Sequence, residues 1–172
     1  MSVPSLVAGG SGNPQTDRLD AAEQMVRDYC GWHIAPVITQ TIVLDGSGAR
    51  SLFVPSLKVL DITACKVRGV ELDVTTLEWS GDGFLRRDCG WPDRLRSVEL
   101  TIDHGFEAAP GVAEIVKEIA SRAASAVGGR TRESAGGVNI TNALVAPGVS
   151  GGVVLMEHEK AALDRYRIFG RP

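Results

Sequence analysis

The chain has 172 residues, of which 44% are hydrophobic and 23% are charged, and its net charge is −3. These values are typical of a globular domain with its own core, and they exclude a strongly cationic nucleic-acid-binding surface. Three cysteines without paired spacing predict free thiols in a reducing compartment rather than a disulfide framework. We predict neither a signal peptide nor a membrane span, because no apolar run approaches the ~20 residues that a bilayer requires.

The N-terminal part is predicted to be a flexible arm followed by a helix. Residues 1–16 contain the run Gly9-Gly10-Ser11-Gly12-Asn13-Pro14, which disfavours regular structure. Thr16 or Asp17 is a suitable N-cap for a helix that reaches about Tyr29 and is ended by Gly31. Its predicted packed face consists of Leu19, Ala22, Met25, Val26 and Tyr29, and its outer face of Arg18, Glu23 and Arg27.

A β-rich insert is predicted from about residue 37 to residue 103. Val37–Leu44 is rich in β-branched residues, and Asp45-Gly46-Ser47-Gly48 is a strong turn signal. We therefore expect Ser51–Val54 to be the return strand of a hairpin. Val59–Val67 is the next predicted strand. Its expected buried side consists of Leu60, Ile62 and Ala64.

The second half of the insert contains a hairpin and the clearest strand of the chain. Leu77–Trp79 and Phe84–Arg86 flank Ser80-Gly81-Asp82-Gly83, which is typical of a hairpin loop. From Val98 to Asp103, apolar and polar residues alternate, as in a strand with one buried face. His104-Gly105-Phe106 then predicts a sharp turn before the next helix.

A long helix is predicted from Pro110 to about Val127, where Gly128-Gly129 would end it. Glu118 and Arg122 are expected to form an i,i+4 ion pair on its outer face. Its predicted apolar stripe consists of Val112, Ile115, Val116, Ile119, Ala120 and Ala123. Residues 17–128 would thus comprise a helix, the insert and this second helix.

The C-terminal third is predicted to contain a glycine-rich loop, residues 129–155, and a short helix within residues 156–172. The helix would end near Tyr166, and the chain finishes with Arg167-Ile168-Phe169-Gly170-Arg171-Pro172. A terminal segment with two apolar residues beside arginines is expected to dock on another surface. The fold class is therefore α+β: a small helical bundle of three helices with an inserted antiparallel β-rich region.

The residues offer little catalytic chemistry. None of His33, His104 and His158 lies at i,i+4 from another ligand, and Cys30 with His33 has no second pair at metal-ligand spacing. A small hydrolase that uses His104 as an acid–base group remains an alternative. The simpler interpretation is that His104 forms a hydrogen bond at a tight turn that Gly105 permits. We predict no catalytic residue, no metal and no cofactor.

The motifs, in their order along the chain, resemble the head-to-tail connector, or adaptor, proteins of long-tailed bacteriophages. The resemblance covers about residues 17–168, and residues 136–152 depart from it by being longer and more apolar. The matching segments are Asp28-Tyr29-Cys30-Gly31-Trp32-His33, Asp45-Gly46-Ser47-Gly48, Leu52-Phe53-Val54-Pro55, Val59-Leu60-Asp61-Ile62, Leu77-Glu78-Trp79, Gly83-Phe84-Leu85-Arg86, Trp91-Pro92, Thr101-Ile102-Asp103-His104-Gly105-Phe106, Pro110, Glu133-Ser134-Ala135-Gly136 and Glu159-Lys160-Ala161-Ala162-Leu163-Asp164-Arg165-Tyr166-Arg167.

The resemblance implies a structural virion protein, made in the host cytoplasm, at the neck between head and tail. Such a protein forms a ring of about twelve copies beneath the portal, binds the portal and the next neck or tail protein, and continues the DNA channel. DNA would pass through without sequence-specific binding, and no membrane is involved. By the same resemblance, the expected portal-facing residues are Arg165, Tyr166, Arg167, Ile168, Phe169 and Arg171. Another neck or tail ring component, either a head-closure or a tail-terminator protein, is the nearest alternative.

Overall fold

The computed structural model describes residues 14–125, 132–135, 138–141 and 153–168. The described residues divide into two compact units. Residues 30–109 with 166–168 form the first, here called the β unit. Residues 14–29 with the described residues between 110 and 165 form the second, here called the helical unit. The order of helices and strands confirms the α+β class with an inserted β region.

The described part of the helical unit contains three α-helices: α1 (Pro14–Cys30), α2 (Pro110–Ser125) and α3 (Glu157–Leu163), the last followed by a 3-10 turn at Asp164–Tyr166. Helix α1 begins at Pro14, inside the predicted arm, because proline suits the first helical turn, where its missing N–H is not needed. The rest of the arm, residues 1–13, lies outside the described residues. In α2, the predicted stripe is buried at Val112, Val116 and Ile119.

The expectation that Glu23 lies on the outer face of α1 is wrong. Glu23 is buried next to Ala22 and Val26, and its carboxylate pairs with the Arg27 guanidinium at 3.3 Å, one helical turn away. An i,i+4 pair keeps a buried carboxylate charged at a lower desolvation cost than an isolated one. Helical spacing places residues on a face, but it does not show how far the packed surface extends around the helix.

The main sheet of the β unit has the order β1-β7-β3-β4. Its strands are β1 (Ile38–Leu44), β3 (Val59–Val67), β4 (Val70–Leu72) and β7 (Val98–His104). β7 is central and antiparallel to both neighbours. The predicted alternation is confirmed, since Val98, Leu100 and Ile102 are fully buried. This strand therefore anchors the core of the β unit.

A second sheet has the order β2-β6-β5, from β2 (Ser51–Phe53), β5 (Glu78–Trp79) and β6 (Phe84–Arg86). The predicted hairpin between β5 and β6 is confirmed. The hairpin predicted between the first two strands is wrong, because β1 pairs with β7 and β2 pairs with β6. The intervening turn is instead tied to the segment before β7: Arg96 N–H donates to Asp45 Oδ1 and Gly46 N–H to Arg94 O.

The buried side of β3 also differs from the prediction. Two β-bulges, between Val59 and Asp61 and between Ile62 and Ala64, shift the alternation. As a result Val59, Ile62 and Cys65 are buried, whereas Leu60 and Ala64 are exposed. A period of two holds only where the ladder is regular, and β3 is interrupted twice.

The predicted glycine-rich loop, residues 129–155, contains two strands, β8 (Arg132–Ala135) and β9 (Val138–Thr141). They pair antiparallel with each other, from Arg132 opposite Thr141 to Ala135 opposite Val138. They form a two-stranded sheet that includes no other described strand. The predicted end of α2 at Gly128-Gly129 lies outside the described residues.

Candidate partner interface

The predicted portal-facing residues occupy the end of the described chain. Arg165 and Arg167 are exposed, whereas Tyr166 and Ile168 are half-buried. Phe169 and Arg171 lie outside the described residues. The structure therefore separates the predicted set into exposed cations and partly packed apolar residues.

Tyr166 and Ile168 are held by the segment that follows α1, within the β unit. Ile168 N–H donates to Cys30 O at 2.9 Å, and Trp32 Nε1 donates to Tyr166 O at 2.7 Å. A Cβ at Gly31, which has a φ of 81°, would lie 3.8 Å from Ile168 Cβ. The C-terminal segment thus has an intramolecular docking site, and its backbone position is defined before any partner binds.

An aromatic cluster surrounds this docked segment. The Phe106 ring lies 5.7 Å from the Tyr166 ring in a T-shaped arrangement and 5.9 Å from the Trp32 ring. The first of these pairs is edge-to-face, an arrangement that stabilises packing beyond area burial alone, and the second is tilted at 57°. The turn after β7 and the end of α1 thereby hold the C-terminal segment from two sides. The sequence places both Trp32 and Phe106 in glycine-containing turns, which is the feature that could have marked them. No local sequence pattern predicted that the two rings meet.

Two histidines complete the cluster. The His33 and His104 ring centroids are 4.3 Å apart. Because carbonyl oxygens only accept, His33 Nε2 donates to Pro36 O at 3.0 Å, and His104 Nε2 donates to Gln40 Oε1 at 3.0 Å. Burial, followed by the neighbouring His33, lowers the pKa of His104 to about 4, against a smaller opposing effect of Asp103. His104 is therefore neutral at pH 7.

This environment favours the structural interpretation of His104 over the acid–base one. A general base works best with a pKa near the working pH, and a pKa of about 4 is far below it. The ring is only 3% exposed, and its Nε2 is already bonded to the Gln40 amide oxygen. Gly105, at a φ of 116°, forms the predicted tight turn beside it. Among the described residues, His104 therefore acts as a packed and hydrogen-bonded group.

A buried ion pair organises the helical unit. Arg122 NH1 and NH2 donate to Glu159 Oε1 and Oε2 at 2.9 and 3.0 Å, and NH2 also donates to Val154 O. The predicted pairing of Arg122 with Glu118 is wrong, because the buried Glu159 carboxylate takes both guanidinium nitrogens. Tyr29 OH further donates to Asp164 Oδ1 at 2.6 Å, which connects α1 to the turn after α3.

Glu118, His158 and Glu159 bring three potential metal-ligand atoms within 4.8 Å of one another. Glu159 is a poor ligand, because both its oxygens accept from Arg122 and Oε2 also accepts from Met156 N–H at 2.7 Å. The Arg122 guanidinium also repels a cation at this position. The cluster therefore serves α3 placement rather than metal binding.

No protein-family model matches the chain, and no curated protein matches it. Solved structures do resemble it, and two of them are described here. The first, "Neck of native GTA particle computed with C12 symmetry", matches at 12% identity and a TM-score of 0.54 over 92% of this chain and 86% of that chain. The second, "Neck of empty GTA particle computed with C6 symmetry", matches at 13% identity and a TM-score of 0.53 over 96% and 85%.

The likeness extends over nearly the whole of each chain, so both units of this protein contribute to it. At 12–13% identity it shows a shared fold. In the described part of the chain, no helix is long and apolar enough to cross a membrane.

Proposed function

We propose that this protein is a non-enzymatic structural subunit of a phage-like particle, placed at the neck between head and tail. The observation that carries the proposal is the fold likeness to two GTA-particle neck chains over 92% and 96% of this chain. The order of motifs, from the helix ending in Tyr29-Cys30-Gly31 to the final Tyr166-Arg167, independently resembles that of phage connector proteins. Two unrelated kinds of observation thus support one role.

In this proposal about twelve copies form a ring beneath the portal, in line with the C12 symmetry of one related neck. A closed ring of identical subunits uses head-to-tail contacts, in which one patch of each copy meets a different patch of the next. The ring would bind the portal on one face and the next neck or tail protein on the other. Its location would be the virion neck, after synthesis in the host cytoplasm.

The ring would also continue the DNA channel. A net charge of −3 supports passage of DNA without tight binding, because tight binding requires neutralisation of several phosphates by basic side chains. Sixteen-residue α2 favours a connector over the more β-rich head-closure and tail-terminator proteins. The exposed Arg165 and Arg167, with Tyr166, Ile168, Phe169 and Arg171, remain the proposed portal-facing set.

The test is co-sedimentation of the purified protein with DNA-filled, tail-less heads of the particle that carries it. We expect saturable binding at about twelve copies per portal, as the C12 symmetry of the related neck suggests. Binding to purified tails but not to heads would favour the tail-side ring alternative. Binding to neither would refute the neck role and return attention to the hydrolase alternative at His104.

A further inference from the structure

Among the described residues, β1 is an edge strand of the main sheet, with no strand on its outer side. On one side its seven residues pair with β7 in an unbroken register, from Ile38 opposite His104 to Leu44 opposite Val98. On the other side, no described residue forms a backbone hydrogen bond with β1. In an edge strand, the outward N–H and C=O groups are available to another extended chain. β1 therefore presents a ready template for strand addition.

The opposite edge of the same sheet is built differently. β4 has only three residues, and β3 beside it carries two bulges. Val59 N–H at that edge donates to Gly81 O at 2.7 Å. Short strands, bulges and covering loops are the usual protections of a sheet edge.

The sequence of β1, Ile-Thr-Gln-Thr-Ile-Val-Leu, has no proline and no charge. Within one sheet, and among the described residues, the β1 edge thus lacks the protections that the β4 edge has.

β8 and β9 lack a third neighbour among the described strands. β8 and β9 form a sheet of two strands. A two-stranded sheet alone is marginally stable in water and gains from a third strand. β9, Val-Asn-Ile-Thr, is uncharged like β1, whereas β8 contains Arg132 and Glu133. β9 is therefore the better match for the β1 edge.

We propose that, in the ring, β9 of one copy adds to the outer edge of β1 of the neighbouring copy. The inference rests on the proposed ring, and it names the contact that joins its subunits. The contact is heterologous, since β9 of one copy meets β1 of the next. Repetition of this contact around a symmetry axis produces a closed ring. Backbone hydrogen bonds of the added strand provide affinity, as in other cases of strand addition. The occupant is a second copy of this chain.

Disulfide trapping between different copies tests the contact directly. In a Cys89→Ser background, which removes the exposed thiol, one sample carries Thr41→Cys in β1. A second set carries single cysteines at each position from 138 to 141, so that either strand direction and either face is sampled. The Thr41→Cys sample is mixed with each β9 sample and oxidised, once bound to heads and once as concentrated free protein. We expect a covalent heterodimer with one or two of the four β9 positions. The matched control, Glu71→Cys on β4, is expected to give none.

A lysine substitution that blocks the β1 edge tests the same contact independently, through its effect on ring formation on heads. Lysine on an edge strand discourages strand addition. Val43 on β1 is 45% exposed and Val70 on β4 is 70% exposed, so both tolerate the change. We expect Val43→Lys to weaken head-bound ring formation about tenfold, the loss of about 1.4 kcal/mol, and Val70→Lys to leave it unchanged.

The proposal is overturned by two outcomes: a covalent heterodimer with no β9 position in either state, or equal binding by the two lysine variants. If the wild-type protein meanwhile binds heads at the expected stoichiometry, the neck role stands and only the named contact is wrong. If the wild-type protein does not bind heads, the neck role fails, and the free-protein cross-linking still decides whether β9 adds to β1.

Discussion

Glu159 and Arg122 form a two-pronged ion pair, with N–O distances of 2.9 and 3.0 Å, although 37 residues separate them. The Glu159 side chain is only 1% exposed. The same carboxylate accepts from Met156 N–H at the start of α3, so one group both caps α3 and connects it to α2. The short α3 helix, seven residues long, owes its position to this pair.

Glu159→Gln is expected to lower the free energy of unfolding by about 3–5 kcal/mol, because it leaves the Arg122 guanidinium partly buried without its counter-charge. The measurement is urea-induced unfolding followed by circular dichroism. Glu157→Gln is the matched control, since Glu157 lies in the same helix, pairs with Lys160 and is 88% exposed. Equal destabilisation by the two substitutions would contradict the organising role of Glu159.

Acidification is expected to destabilise the protein through His104. The unfolded-state pKa is near 6.5 and the folded-state pKa is about 4, so below pH 6.5 the unfolded chain binds more protons. Stability is therefore fully present above pH 6.5, declines as the pH falls toward 4, and loses roughly 3 kcal/mol in total from this group. His104 Nδ1 is buried without a hydrogen-bond partner among the described residues, so protonation would create a buried, unsatisfied donor.

The measurement is the unfolding free energy at several pH values between 7 and 4, for wild type and His104→Gln. The glutamine side chain does not titrate and keeps an N–H for Gln40. The difference between the two proteins isolates His104 from the carboxyl groups that also titrate in this range. Parallel pH profiles would show that His104 makes no contribution.

Gly105→Ala is expected to cost more than about 2 kcal/mol of stability, because strain and steric overlap add. A Cβ at Gly105 would lie 2.6 Å from His33 Nε2 and 2.7 Å from Pro36 O, at a φ of 116°. Gly69→Ala is the control, because Gly69 also has a positive φ but has no atom within 4 Å of an added Cβ. The two variants are compared by thermal unfolding. An equal loss of stability in both would argue against close packing around His33.

Substitution of the exposed C-terminal arginines is expected to weaken head binding. Arg165 and Arg167 are exposed, so an Arg165→Ala/Arg167→Ala variant should bind heads less tightly and with a weaker dependence on salt. Its melting temperature is measured alongside, so that a change in stability is separated from a change in binding. Ile168→Ala is expected to lower the melting temperature, because Ile168 packs at Gly31. Arg86→Ala/Arg94→Ala, which removes two exposed positive charges from the β unit, is the charge-matched control for binding. Unchanged head affinity of the double variant would exclude these arginines from the portal contact.

Local patterns in the sequence were sufficient for much of the fold. The alternation from Val98 to Asp103 predicted β7, the stripe from Val112 to Ile119 predicted α2, and Ser80-Gly81-Asp82-Gly83 predicted the β5–β6 hairpin. Each of these depends on periodicity or turn chemistry within a few residues, which any local window contains. The order of such elements was also enough to indicate the α+β class.

The tertiary structure was needed to show which strands pair with each other and which charged side chains form ion pairs. The turn at Asp45-Gly46 looks like a hairpin turn, yet β2 pairs with β6, because Asp45 and Gly46 bond to residues 94–96 instead. Arg122 likewise had a suitable local partner in Glu118, but the buried Glu159 offered two desolvated oxygens. The sequence by itself determined where α2, β7 and the β5–β6 hairpin form, because these depend on local periodicity and turn chemistry, whereas β8 and β9 lie in a segment that was predicted to be a loop. The tertiary structure decided which segments meet, because burial and charge pairing act between residues that only folding brings together.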